Sequence, residues 1–194
     1  MKLEDHDESD GRRAWLTLEE ADEFFSRAES TEEKMALGLG LRSGLRVREI
    51  VSVTPVDVVD TGAGRFVRVE HGKGDKYRET PLSSALAETI SAFVDVGGVD
   101  RDEPIVDRST RWVQRKVVRI REELAEETGD GGWLFLTPHD LRRSWAQHLL
   151  DAGVEDGMVM EWGGWENWET FRDAYRGVYS IEKQREERGK VLFL

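Results

Sequence analysis

The sequence predicts one mainly α domain with a small antiparallel β-sheet, an α+β fold, and three observations carry that expectation. Apolar residues recur at helical spacing through most of the chain, often just behind a Ser or Thr cap. Only the stretch from Phe66 to Pro81 alternates like paired strands around a glycine-rich turn. A length of 194 residues, 38% of them hydrophobic, is enough for one substantial core.

The elements follow in order. Residues 1–15 are polar and acidic without apolar periodicity and read as a disordered tail. Thr17-Leu-Glu-Glu20 is a capping box that opens a helix with Leu18, Ala21, Phe24 and Phe25 on one face. Ser30-Thr-Glu-Glu33 is a second box, starting a helix through Met35, Leu37, Leu39 and Leu41 that Ser43-Gly44 breaks. A short helix from Val47 to Val53 ends before Pro55. Phe66 to Glu70 is a strand, Lys76 to Pro81 returns beside it, and His71-Gly-Lys-Gly-Asp75 makes the turn. Helices are then expected from Ser83 or Ser84 to Val94, and from Arg111 to Glu127 with Trp112, Val117, Val118, Ile120 and Leu124 facing the core. Gly129 to Gly132 is a loop, followed by helices at Asp140–Ala152, Glu155–Trp162, Glu169–Arg176 and Ile181–Arg188. The chain ends on the apolar run Val191-Leu-Phe-Leu194.

Composition narrows the chemistry. No run is long and apolar enough to span a membrane and no signal peptide is evident, so a cytoplasmic protein is expected. Cysteine is absent, which removes disulfides, thiolate nucleophiles and thiol-bound zinc. His6, His71, His139 and His148 lack metal-ligand spacing, so neither a metal nor another cofactor is expected. The net charge is −12, and arginine outnumbers lysine 21 to 7. Such a balance suits an acidic interaction protein, or a nucleic-acid-binding protein adapted to a very salty cytoplasm. At 1 M salt the Debye length is roughly 3 Å, so distant carboxylates scarcely repel a phosphate chain.

Three separated segments hold the chemistry: Gly44-Leu45-Arg46 with Glu49, His139-Asp140-Leu141-Arg142, and Gly164-Trp165 followed ten residues later by Tyr175. Lys73 lies between the first two, flanked by Gly72 and Gly74. The order and spacing resemble the catalytic domain of the tyrosine recombinases, the phage integrase family with its Xer-type and Cre-type members. The resemblance spans 16–180, which implies that family's catalytic-domain fold. It further implies a site-specific recombinase or integrase that cleaves and rejoins double-stranded DNA through a 3′-phosphotyrosyl link, without metal or ATP.

The resemblance assigns roles. Arg46 and Arg142 form a phosphate clamp, which suits guanidinium because its planar fork donates paired hydrogen bonds and stays charged. Arg48 and Arg143 are neighbours that fit neither motif. His139 manages the nucleophile's proton, while His148, among Trp145, Leu149 and Leu150, reads as structural. Lys73 is the general acid for the leaving 5′-oxygen, with Lys76 as its rival. Trp165 stands where a histidine is commoner in the family and keeps one donor, the indole N–H. Tyr175 is the nucleophile and Tyr179 the alternative; Glu49 orients an arginine or the histidine. Arg42, Arg65, Arg68, Lys76 and Arg78 are candidate contacts to the DNA backbone. The catalytic side chains, Arg46, His139, Arg142, Trp165 and Tyr175, are expected to be brought toward one concave surface.

Most family members carry an additional N-terminal helical domain that grips DNA, and nothing before Leu16 corresponds to it, so an excised catalytic domain and a naturally short protein both stay open. The free chain is expected to be a monomer that self-associates on DNA, a synaptic tetramer being the family's arrangement. Residues 181–194 would form a helix and apolar end that dock in cis or in trans. Two other functions compete: a non-catalytic DNA-binding regulator of the same fold, and a strand-relaxing activity like that of type IB topoisomerases.

Overall fold

The computed structural model describes residues 1–5, 11–70, 77–174 and 181–190. Nine α-helices and five strands appear among them: β1 (Lys2–Asp5), β2 (Arg12–Trp15), α1 (Leu18–Ser26), α2 (Thr31–Ser43), α3 (Val47–Ile50), β3 (Val58–Thr61), β4 (Gly64–Val69), β5 (Arg78–Pro81), α4 (Ser84–Gly97), α5 (Thr110–Thr128), α6 (Pro138–Asp151), α7 (Asp156–Gly163), α8 (Trp168–Ala174) and α9 (Ile181–Gly189). The mainly α class with small antiparallel sheets is what the periodicity called for.

Helix α2 is the axis of the molecule. Its side chains point alternately into two cores, Met35 and Leu39 into one and Leu37 and Leu41 into the other, and all four are at most 3% exposed. Burial of each such side chain is worth roughly 1.5–3 kcal/mol. The first core joins α2 to the three-stranded sheet and α4 through Val67, Val69, Leu86 and Ile90. The second joins it to α1 and α5 through Phe24, Val117, Ile120 and Leu124. A third, aromatic cluster of Trp145, Leu150, Val159, Trp165 and Phe171 lies between α6, α7 and α8.

The caps act as the sequence suggests, with one variation. Thr17 and Glu20 bond reciprocally at the start of α1. At α2 the Ser30 hydroxyl accepts from Glu33 N–H, but the Glu33 carboxylate reaches back to Glu29 N–H and also receives Lys116 and Arg119. Two expected faces shift. Leu18 is 63% exposed, leaving Ala21 and Phe24 to bury α1. On α5 the buried stripe is Val113, Val117, Ile120 and Leu124, with Trp112 and Val118 half-buried at its edges.

Residues 1–15 are not simply a disordered tail. Strands β1 and β2 pair antiparallel, Lys2 opposite Trp15 and Asp5 opposite Arg12. Ala14, Trp15 and Leu16 are at most 3% exposed. The physical reason is a set of partners far along the chain. Asp140 accepts from Ala14 N–H at 3.2 Å, and the Ser144 hydroxyl accepts from Leu16 N–H at 2.9 Å. Strand β3 was also unanticipated; it completes a β3-β4-β5 meander with Val58 opposite Val67 and Val69 opposite Arg78. The connection from β4 to β5 contains Lys73 and Lys76, which lie outside the described residues, as do Tyr175, Tyr179 and Val191–Leu194.

Candidate active site

Arg46 reaches its place through a helix stop. Gly44 ends α2 in the left-handed region (φ 67°), and Leu45 N–H closes back on the Leu39 carbonyl at 3.0 Å. A Cβ at Gly44 would lie 2.2 Å from the Trp145 ring, so both conformation and space require glycine there. The chain then turns into α3, with Arg46 at its N-cap. Glu49 reaches back to accept from Arg46 N–H at 2.7 Å and from Arg46 Nη1 at 2.8 Å. The Arg46 side chain keeps 23% of its surface open.

His139 and Arg142 come from the first turns of α6. Thr137 caps that helix, Pro138 occupies its first turn, and Asp140 accepts from Thr137 N–H at 2.9 Å. The same carboxylate takes Ala14 N–H and pairs with Arg143. Asp140 is fully buried and tied at every side, which fixes the helix start that carries His139.

His139 is solvent-exposed over part of its surface while its ring lies among protein groups and three cations. Burial and then the charges of Arg143, Arg142 and Arg46 lower its pKa to about 3. The imidazole is therefore neutral at physiological pH. An anion bound among the arginines would offset their charge and raise that pKa, whereas the burial contribution would stay.

Arg142 and Trp165 are buried in this structure. Arg142 is fully buried, its guanidinium donating to the Gly44 and Gly163 carbonyls from Nη1 and Nη2. Its charge sits 4.2 Å from the centroid of Trp165, a cation–π stack. Trp165 is 9% exposed, with Trp145 at 6.1 Å and Phe171 at 5.0 Å between ring centroids. The cause is the turn after α7. A Cβ on Gly163 would overlap the Trp165 ring, and Gly164 is left-handed (φ 68°), so the indole folds back into the aromatic cluster.

Arg78 is likewise not a DNA-backbone contact. Its side chain is 6% exposed and bonds both Glu49 oxygens, Nη1 to Oε1 at 2.9 Å and Nη2 to Oε2 at 2.6 Å. Its Nε donates to the Trp162 carbonyl at 3.0 Å. The error was one of strand parity: Arg78 and Thr80 face inward with Val69 and Val67, while Glu79 pairs outward with Arg68. Two other expected contacts, Arg42 and Arg65, are exposed and paired with Asp22 and Asp60. His148 has the structural place expected of it, with Nε2 2.7 Å from the Leu16 carbonyl.

The site therefore gathers four guanidiniums (Arg46, Arg78, Arg142, Arg143) around two buried carboxylates, Glu49 and Asp140. This cluster is net positive in a chain of net charge −12. Its open members are Arg46 and His139, so it is built to receive an anion. A cleft that Glu49 also lines is bordered by Asp57, Glu70 and Asp102 as well as Arg68, which does not suit a phosphate. Among the described residues no group of His, Cys, Asp and Glu could hold a metal ion, and no helix is long and apolar enough to cross a membrane.

A mainly α fold that brings arginines and a histidine from separated segments into one net-positive cluster narrows the class of protein. The phage integrase family model matches residues 14–180, and the chain belongs to that family. It is 28% identical over 179 residues to tyrosine recombinase XerA of Thermococcus kodakarensis, covering 91% of this chain and 63% of that protein. It is 34% identical over 145 residues to XerC of Azotobacter vinelandii, covering 72% of this chain and 45% of that one. The chain thus spans roughly half to under two thirds of these relatives' lengths. Among solved structures, XerA recombinase superposes with a TM-score of 0.69 at 21% identity, covering 91% of this chain and 64% of that one. XerH bound to a palindromic difH substrate after cleavage also gives 0.69, at 20% identity, covering 100% and 54%.

Proposed function

We propose that this chain is the catalytic module of a site-specific tyrosine recombinase acting on double-stranded DNA. The observation that carries the reading is the meeting of Arg46, His139 and Arg142, from two segments far apart in sequence, in a net-positive cluster of an otherwise acidic protein. In this reading the Tyr175 phenolic oxygen attacks the scissile phosphorus. A 3′-phosphotyrosyl bond forms as the bond from phosphorus to the 5′-oxygen breaks. Arg46 and Arg142 offset the growing charge on the non-bridging oxygens, Arg142 by exchanging its carbonyl partners for phosphate. His139 is a neutral imidazole whose basicity rises when the phosphate offsets the neighbouring arginines, so it can take the phenolic proton, while Lys73 gives a proton to the departing 5′-oxygen. The bond energy is conserved, so rejoining is the same step reversed. Trp165 supports Arg142 from beneath.

Assembly on DNA, into a synaptic tetramer, is part of the same proposal. The apolar end Val191–Leu194 is the candidate link between protomers, because a short apolar strand is readily buried by pairing with a neighbour. Removing residues 190–194 should impair cooperative assembly more than folding.

The decisive experiment is covalent capture. A pool of nicked duplexes with randomised arms is incubated with the protein, denatured, and examined for DNA that stays attached. Tyr175→Phe should abolish attachment with non-covalent binding nearly intact, and Tyr179→Phe should change little. Attachment surviving in Tyr175→Phe but lost in Tyr179→Phe would reassign the nucleophile; none from the wild type would defeat the recombinase reading.

A further inference from the structure

We propose that Arg78 is a positioning residue: it clamps Glu49 and thereby sets how Arg46 is presented to the scissile phosphate. The inference rests on the recombinase reading for its catalytic half and on geometry alone for its structural half.

Glu49 is saturated. Oε1 accepts from Nη1 of both Arg46 and Arg78, and Oε2 accepts from Arg46 N–H and Arg78 Nη2. Because Arg78 takes both oxygens in a bidentate pair, Arg46 engages Glu49 through Nη1. Without Arg78, the buried carboxylate would be left to the one remaining guanidinium, and the natural outcome is a bidentate Arg46–Glu49 pair. That pair turns the Arg46 fork toward the protein and away from a phosphate. The charge on Arg46 would be unchanged while its aim was lost.

Arg78 also ties Arg46 to the rest of the site. Its Nε holds the Trp162 carbonyl, and Gly164 packs so closely that a Cβ there would lie 2.8 Å from Arg78 Cδ. One side chain therefore joins the strand leaving the Lys73 connection, the helix carrying Arg46, and the turn carrying Trp165. Its inward-facing neighbours in the sheet, Val67 and Val69, show that this layer accepts apolar side chains. A buried guanidinium is expensive to hold where valine fits, and neighbouring positions do without it.

The test uses Arg78→Gln and the charge-preserving Arg78→Lys in the full chain. Arg46 Nε–Hε is followed by ¹⁵N NMR without DNA, and adduct formation by single turnover on the duplex recovered from the randomised nicked pool. Arg78→Gln should move and broaden the Arg46 Nε–Hε signal. It should slow adduct formation on the order of tenfold to a hundredfold, the scale of a misplaced catalytic group, with duplex Kd changed less than about threefold. Arg78→Lys should fold like wild type and recover part of the rate. In an Arg46→Lys background the Arg78→Gln change should add less than about threefold, since Arg78 acts through Arg46. An unmoved Arg46 signal overturns the structural half. Rates within threefold of wild type, or two substitutions whose effects multiply in full, overturn the catalytic half. An Arg46 signal that depends on Arg78, in a wild-type chain that captures no duplex, would leave the positional coupling standing and reject the recombinase reading instead.

Discussion

Glu49 holds two arginines with two oxygens, and its titration should be visible in the stability of the whole protein. Burial opposes its charge, but the hydrogen bonds and charges of Arg78 and Arg46 outweigh it and lower the pKa from 4.5 to about 2. A carboxyl depressed in the folded state stabilises the fold above its unfolded pKa, and that contribution is lost as pH falls through the folded pKa. The shift corresponds to roughly 3 kcal/mol, lost between about pH 4.5 and pH 2. Glu49→Gln should destabilise the protein at pH 7 by about 3–5 kcal/mol, since the buried Arg78 and the partly open Arg46 lose their shared partner, and should flatten the dependence below pH 4.5. Urea melts from pH 7 to pH 3 measure both; equal slopes in the two proteins would mean that Glu49 titrates normally. Arg46→Ala belongs at the same scale. It should slow adduct formation about 10²–10³-fold, the loss expected for one transition-state donor, and leave affinity largely unchanged. A loss confined to affinity would make Arg46 an anchor. That Arg46, Glu49 and His139 would lie together could be drawn from motif order alone. The inward turn of Arg78 could not, because it depends on strand register: counting back from Thr80 in steps of two gives it only once Val67 is known to face Thr80.

Among the elements, α6 and β2 form the least expected partnership. Helix α6 was expected from Asp140, two residues after its actual start at Pro138 behind the Thr137 cap. Strand β2 was not, because Arg12 and Arg13 gave it a polar start and the side chains that accept from Ala14 N–H and from the following Leu16 N–H lie 126 and 128 residues away. Local pattern cannot reveal an acceptor so distant. The signal present was the run Ala14-Trp15-Leu16, all nearly inaccessible in the fold. If β2 serves mainly to cover the start of α6, truncation should have a sharp threshold. Deleting residues 1–10 removes β1 with its pairing to β2 and the packing of Met1 and Leu3 on the second core, and should cost a modest part of the stability while leaving Asp140 and Ser144 covered. Deleting 1–16 uncovers Asp140 and Ser144 and should lower the melting temperature by several degrees more, with His139 ring resonances broadened by a frayed helix start. Equal melting temperatures for the two truncations would return residues 11–16 to the status of a tail.

At the scale of the molecule, the proposed function requires an acidic chain to approach a polyanion. Three of the surface cations expected to meet the backbone are already neutralised: Arg42 by Asp22, Arg65 by Asp60 and Arg68 by Glu79. A phosphate that binds one of them displaces a carboxylate rather than meeting a bare charge, so little net neutralisation of DNA results. Counterion release, which makes most DNA binding steeply salt-dependent, is correspondingly small. Affinity for a 30-base-pair duplex, measured by fluorescence anisotropy from 0.1 to 1 M KCl, should fall with a log–log slope shallower than about −4. Over the same range the melting temperature should rise, because screening relieves the self-repulsion of a −12 chain more than it weakens its short ion pairs. A slope of about −8 or steeper would mean that many unpaired cations meet the backbone, against the pairing of these three arginines. A melting temperature that drops with salt would mean that the surface pairs outweigh the repulsion, and that the acidic composition is no adaptation to salt.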